Sequence, residues 1–235
     1  MADDIKALAF DVFGTVVDWR SSVAEAVSAA LPSLDAGAFA DAWRGRYQAA
    51  MEPVRSGARP WVKLDVLHRE MLDEVIDQFG APPMSMSEGD RARLNLVWHR
   101  LAPWPDVVKG LARLRRRFVL ATLSNGNMSL LADLVHHGKL PFDCVLSVEL
   151  AAAYKPQPQV YLKACELLDL APAQVMMVAA HADDLEAARR VGMPTAFIAR
   201  PNEWGDPDAF QPPPEGHFDV HAADFLDLAA KLKVR

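Results

Sequence analysis

The sequence carries only two cysteines, Cys144 and Cys165, in 235 residues. Two thiols in apolar segments cannot make a disulfide framework, and they read as buried free thiols. A long hydrophobic run is also missing: no stretch approaches the roughly 20 apolar residues of a membrane span. Nothing resembles a secretory signal. The expectation is a soluble, cytoplasmic protein with no membrane partner, so the sequon Asn127-Met128-Ser129 is set aside. Positive charge is in short supply. Lys and Arg number 25 against 31 Asp and Glu, a formal net charge of −6. That balance gives no field to attract nucleic acid. The one basic run, Arg113 to Arg117, falls where a helix is expected to end, and there it complements the helix dipole. Internal repeats are absent as well.

Hydrophobic residues make up 51% of the chain, enough for a sizeable core. Five short apolar runs bounded by turn residues read as buried parallel strands: Ile5–Phe10, Phe118–Leu123, Cys144–Ser147, Val175–Ala179 and Thr195–Ala199. Helical patterns separate the last four, which argues for an α/β protein with a doubly wound parallel sheet. Between the first two runs only helices are expected, from about Ser21 to Leu101. Leu64, Leu67, His68, Met71, Leu72, Val75, Ile76 and Phe79 follow helical spacing. Phe39, Trp43 and Tyr47 form a second stripe, and Ser87 to Leu101 a third, opened by a Ser87/Asp90 capping box. The expected division is a core of residues 1–19 and 102–235, with a helical insert at 20–101. The Pro-rich segment Arg200–His217 reads as a long surface loop before a last helix near Asp224–Lys233.

Open α/β sheets put their sites at the carboxyl ends of strands. In "AFDVFGTV", Asp11 ends the first apolar run, Gly14 permits a tight turn, and Thr15 can reach back to the acid. Asp11 alone is an ordinary turn former. Beside amides and a lysine, the same carboxylate stays ionised and suits a nucleophile. Ser124-Asn125-Gly126-Asn127 follows the second run. It is either a helix cap or a cradle of free N–H groups for an anion. Lys155 precedes Pro156 and so sits on a loop edge. In "AAHADDLEAARRVG" the acids favour a helix N-terminus, and His181 reads equally as a structural polar residue or a catalytic one.

These motifs, in this order, resemble the haloacid dehalogenase superfamily along nearly the whole chain. "FDVFGT", "LSNG", "YKPQPQVY" and "ARRVGMPT" are similar to the type II L-2-haloacid dehalogenases. The resemblance implies a Rossmann-like core with an inserted helical cap domain. The most informative absence now becomes legible. Phosphatases of this superfamily carry a second aspartate two residues after the nucleophile, where this chain has Phe13. An alkoxide leaving group needs that general acid, and a halide does not. The resemblance therefore implies hydrolysis of short 2-haloalkanoic acids, fluorinated ones included, through an ester on Asp11, with no metal and no cofactor.

It further implies that Arg44 contacts the departing halide and that Trp61 lies in the halide cradle. Phe13 supplies an apolar wall, and Thr15 and Lys155 serve the nucleophile. Ser124 and Asn125 hold the substrate carboxylate and halide. Tyr161 orients substrate and Asp11, Asp184 steadies Lys155 or the hydrolytic water, and the working form is a homodimer. The chain departs from the familiar pattern where Ala179-Ala180-His181-Ala182-Asp183-Asp184 replaces Ser-Ser-Asn-Ala-Trp-Asp. His181 is expected to orient the water or Asp184. Two rivals stand beside this reading: a Mg²⁺-dependent phosphatase, which wants an acid at position 13, and an idle binding protein, against which Asp11, Lys155, Ser124 and Arg44 together speak.

Overall fold

The structure is a computed structural model and describes residues 4–80 and 86–234. The first strand, β1 (Ala7–Phe10), is buried on both faces and leads through a tight turn into β2 (Val17–Asp18). Five helices follow: α1 (Trp19–Ala30), α2 (Ala36–Gly45), α3 (Tyr47–Arg55), α4 (Leu64–Gln78) and α5 (Glu88–Asn95). A 3₁₀ turn (Leu96–His99) leads to β3 (Ala102–Pro103), which pairs antiparallel with β2. The chain then alternates: α6 (Val107–Leu114), β4 (Val119–Thr122), α7 (Met128–His137), α8 (Pro158–Leu168), β5 (Val175–Ala179), α9 (Ala182–Arg190) and β6 (Thr195–Ile198). A short β7 (Val220–Ala222) and α10 (Phe225–Lys231) complete it. The main sheet is parallel throughout, in the order β4-β1-β5-β6-β7. With β1 an inner strand, flanked by β4 and β5, Asp11 emerges inside the sheet edge rather than at its end.

Two expectations about the sheet need correction. Cys144–Ser147 makes only isolated parallel bridges, at Ala121↔Cys144 and Ser124↔Ser147. Between them the Thr122 hydroxyl takes the place of a ladder partner: it donates to Leu146 O and accepts from Leu146 N, both at 2.9 Å. The fifth strand is instead β7, at the opposite edge. At three residues, with His221 in the middle, it has no apolar run to announce it.

The helical stripes are buried as their spacing requires. Leu64, Leu67, His68, Met71, Leu72, Val75 and Ile76 form the inner face of α4. Each fully buried aliphatic side chain of this kind contributes about 1.5–3 kcal/mol. The Phe39–Tyr47 stripe is divided between two helices, because α2 stops at Gly45, a poor helix former, and α3 starts afresh at Tyr47. The Ser87/Asp90 capping box is present, yet α5 ends at Asn95 and the chain tightens into the 3₁₀ turn. That turn brings His99 between Asp65 (3.0 Å) and Asp133 (2.7 Å). Residues 81–85 of the expected helical stretch lie outside the described residues.

α6 lies tightly against α10. A Cβ at Gly110 would clash with Phe225, so only glycine allows this approach. α6 does end within the basic run. Arg113 and Arg117 donate to Val234 O (2.7 Å) and Leu232 O (2.9 Å), so their charge serves the C-terminal end of α10. Both cysteines are free, and burial pushes the Cys165 thiol pKa up. No helix among the described residues is long and apolar enough to cross a membrane.

Candidate active site

The carboxyl ends of β1, β4, β5 and β6 deliver Asp11, Ser124-Asn125, Ala180-His181 and Arg200 to one edge of the sheet. Lys155 arrives from the loop before α8, Asp184 from the first turn of α9, and Arg44 from the last turn of α2. Asp11, Phe13, Arg44, Asn125, Lys155 and His181 all line a cavity of about 300 Å³.

Asp11 is buried and surrounded by donors. Thr15 Oγ1 donates to Oδ2 at 2.9 Å, His181 Nδ1 approaches Oδ2 at 3.2 Å, and Lys155 Nζ donates to Oδ1 at 3.3 Å. Thr15 Oγ1 itself accepts from Ala180 N, which fixes its lone pair and aims its proton. Burial alone would raise the Asp11 pKa. Lys155, His181 and Thr15 outweigh it and hold the carboxyl well below the usual range. Asp11 is therefore an anion at neutral pH. Lys155 Nζ also donates to Asp184 Oδ2 at 2.7 Å, and Tyr161 OH donates to Asp184 Oδ1 at 2.6 Å. Burial, opposed by Lys155 and reinforced by the Asp11 charge, pushes Asp184 upward. The ammonium is disfavoured by burial but held protonated by the two acids. Of those acids, Asp11 is the better ionised.

His181 stands between two carboxylates, with Nδ1 toward Asp11 and Nε2 at 3.0 and 3.1 Å from the oxygens of Glu203. Burial would lower its pKa. The Glu203 charge and the bonds to both acids win, and the ring is raised well above its ordinary value. Glu203 is buried, which would raise its pKa, but the His181 charge and bond lower it, helped by Arg44 and by Trp19 Nε1 donating at 3.0 Å. Gly14 makes room for that carboxylate: it has φ +81°, and a Cβ there would collide with the Glu203 carboxyl group.

Arg44 is paired with no carboxylate among the described residues. Arg44 Cζ lies 3.9 Å from the centre of the Tyr47 ring, within 6 Å of Phe13 and Trp19, and its buried Nη1 has no hydrogen-bond partner. The Ser124 hydroxyl is also buried and unpartnered. Leaving a charged donor such as the Arg44 Nη1 unmade costs more than the roughly 1–3 kcal/mol of a neutral one, so the Arg44 side of the cavity is prepared for a small anion with electron pairs to offer. Asn125 accepts from Lys155 N at 3.0 Å through Oδ1 and also hydrogen-bonds the Tyr47 side chain, which leaves one of its two amide hydrogens for another partner.

Not every expected residue reaches the cavity. Thr15, Ser124 and Tyr161 sit behind its wall, touching Asp11, the turn after β4 and Asp184 respectively. Trp61 is elsewhere: its ring packs on Tyr154 at 4.8 Å, whose hydroxyl is tied to Val62 O, and it does not line the cavity. The stretch Arg200–His217 is not simply a surface loop. Arg200 is buried, bidentate to Asp106 at 2.8 and 2.9 Å and donating to Thr15 O, and three residues on Glu203 enters the site. Glu203 and Trp204 were not anticipated. The signal was available: an acid and a tryptophan, "RPNEW", directly follow a strand end. Among the described residues no group of three or more His, Cys, Asp or Glu is arranged to hold a metal ion. Phe13 offers no side-chain oxygen, and the Lys155 ammonium stands between Asp11 and Asp184, so these residues do not suit the Mg²⁺ of the related phosphatases.

Comparison with known proteins agrees with this geometry. Residues 5–192 match the haloacid dehalogenase-like hydrolase family. The chain is 31% identical to (S)-2-haloacid dehalogenase 1 of Pseudomonas sp. (strain CBS-3), over 98% of this chain and 99% of that protein. It superposes with a TM-score of 0.93 on a defluorinating L-2-haloacid dehalogenase of 44% identity, covering 97% of this chain and 95% of the other. The L-2-haloacid dehalogenase of Xanthobacter autotrophicus with chloropropionic acid covalently bound gives a TM-score of 0.83 at 27% identity, covering 97% and 98%. The chain belongs to the haloacid dehalogenase-like hydrolases.

Proposed function

We propose that the protein is an (S)-2-haloacid dehalogenase that converts short 2-haloalkanoic acids, fluorinated ones included, to (R)-2-hydroxy acids through an ester on Asp11. The observation that carries this reading is the pairing, in one cavity, of an ionised and buried Asp11 with a buried Arg44 donor that has no anion. In the first step an Asp11 oxygen attacks the α-carbon from the side opposite the halogen. Oδ2 is held by Thr15 and His181, whereas Oδ1 has only the longer Lys155 contact, so Oδ1 is the freer nucleophile. The C–O bond forms as the carbon–halogen bond breaks, and the halide leaves with the electron pair toward Arg44 and Phe13. The α-carbon inverts once. The substrate carboxylate meets Asn125, with Ser124 behind it.

Ester formation removes the Asp11 charge. His181 then loses one of its two anionic partners, and its raised pKa falls. It releases the Nδ1 proton to solvent and becomes a base, still oriented by Glu203. Water attacks the carboxyl carbon of Asp11 and gives a proton to His181 Nδ1. The tetrahedral intermediate collapses. His181 returns that proton to the departing hydroxy acid, and the regenerated Asp11 carboxyl then gives its own proton to His181 Nδ1, which restores the resting charges. The sum is one halide, one hydroxy acid and one proton per water. Lys155, steadied by Asp184 and Tyr161, stabilises the negative charge that passes through Asp11 in both steps.

The division into a core (residues 1–19 and 102–235) and a helical cap (residues 20–101), a homodimeric working form and cytoplasmic residence belong to the same proposal; the division is supported by the helical stripes and the resemblance, and the homodimer by the resemblance alone. The phosphatase reading has nothing to protonate an alkoxide at Phe13. Halide release from (S)- and (R)-2-chloropropanoate, with chiral analysis of the product, tests the proposal. Release from the S isomer alone, giving the R hydroxy acid, is expected. Release without inversion, or phosphate release from phosphomonoesters instead, would overturn it.

A further inference from the structure

The four groups on the substrate's α-carbon make unequal demands on the cavity. Resting on the dehalogenase reading above, the floor at Asp11, the halide side at Arg44 and Phe13, and the carboxylate side at Asn125 are all taken. Tyr47 belongs to the halide side, its ring 3.9 Å from the Arg44 guanidinium carbon, so the side chain of the acid must face the remaining rim of Gly45, Gln48, Pro156, Asp183 and Trp204. Only Pro156 and Trp204 are apolar there, and Trp204 is by far the larger. At 52% exposure it is also the most exposed large hydrophobic side chain described, an apolar face without a protein partner on its outer side.

Its position is built rather than incidental. Its ring meets Trp19 edge-on at 5.0 Å. The preceding residue, Glu203, is fastened to His181 and Trp19. The following residue, Gly205, has φ +77°, and the Arg20 guanidinium packs so closely on it that no Cβ would fit. Behind Trp204 lies a second cavity of about 510 Å³. The two cavities have His181, Asp183 and Trp204 in common. Trp204 is the one apolar side chain in that partition.

We propose that Trp204 is the specificity-determining wall for the substrate's side chain: its ring contacts a methyl group at C2 and bars longer chains from the cavity behind it. The test compares kcat/KM for (S)-2-chloropropanoate and (S)-2-chlorohexanoate in the wild type, Trp204→Ala and Trp204→Phe. Single methylenes in an apolar pocket change kcat/KM by about 10-fold or more. Trp204→Ala joins the two cavities and loses the methyl contact, so the hexanoate-to-propanoate ratio is expected to rise at least about 10-fold. Trp204→Phe is expected to shift it in the same direction by less. The mass of the alkylated enzyme after rapid quench should show the change in the rate of ester formation, which loss of loop packing alone would not make chain-length dependent. A ratio unchanged within twofold in both variants would overturn the proposal while leaving the dehalogenase reading intact. Absence of halide release from every substrate in the wild type would overturn that reading, and this proposal with it.

Discussion

Glu203→Gln isolates the second half of the reaction. The amide is nearly isosteric and can still accept from His181 Nε2 and Trp19 Nε1, but it carries no charge. The Glu203 charge is the largest influence raising the His181 pKa against burial. In the ester state, with Asp11 neutral, Glu203 is the one carboxylate among the described residues that is hydrogen-bonded to that ring. A hydrogen bond to a charged group is worth about 1.5–3 kcal/mol. Charge accumulates on His181 as it takes the water proton, so that amount comes off the hydrolytic transition state. At 1.36 kcal/mol per decade the loss is about 10- to 150-fold. Ester formation does not require His181 to move a proton, so its rate is expected to change by less than about fivefold, far under the 10²–10⁴ range of acid–base assistance. Rapid quench followed by intact-protein mass spectrometry reads both steps. The alkylated enzyme should accumulate in the variant and not in the wild type. If ester formation slows as much as hydrolysis and no adduct builds up, Glu203 shapes the site as a whole, and the role given to it here is wrong.

Arg44→Met removes the guanidinium whose buried Nη1 has no hydrogen-bond partner and is expected to lower the rate of ester formation by about 10²–10³-fold, as loss of a single preorganised charge-stabilising donor does elsewhere. Product inhibition by added halide should weaken in parallel. Incubation with EDTA followed by desalting is expected to leave halide release unchanged, because Lys155 occupies the place between the acids where a cation would sit. His99, with a pKa raised by Asp65 and Asp133 against burial, links α4 and the 3₁₀ turn to α7. Because its folded pKa exceeds the unfolded value of about 6.5, its stabilisation is full below that pH and fades as pH rises through the folded pKa. His99→Gln should therefore lower Tm most at acid pH. The difference is expected to be about 2–4 °C, kept small because Asp133 is largely exposed, and to shrink in alkaline buffer; thermal scans from pH 5.5 to 9 check it.

Much of the fold was legible because strand ends and helical stripes leave local patterns. Asp11, Lys155 and Asp184 could be assembled from sequence, since in an open α/β sheet chain order alone brings strand ends to one edge. Phe13 could be read by what it replaces. What escaped depends on tertiary partners. Cys144–Ser147 has a strand's apolar run, but the Thr122 hydroxyl replaces its ladder partner at Leu146. β7 was too short and too polar to stand out. Trp61 was expected in the cavity from resemblance, but packing on Tyr154 decides its position. Glu203 escaped because acids in Pro-rich loops are usually solvated, and its burial depends on space at Gly14, 189 positions earlier. His181 was noticed as a departure, but its partner was not, so its cationic state could not be derived.

The central claim is that Asp11 itself forms the ester and is itself hydrolysed. A single turnover in ¹⁸O-water, with enzyme in excess over (S)-2-chloropropanoate, tests it most directly. Mass analysis of the peptide containing Asp11 and of the product follows the oxygen. Water attacking the Asp11 carboxyl carbon must leave solvent oxygen on Asp11 and carry an original Asp11 oxygen into the hydroxy acid. One ¹⁸O in the Asp11 peptide and an unlabelled product hydroxyl are predicted. Label confined to the product would mean that water attacks the substrate carbon directly, and it would contradict the account.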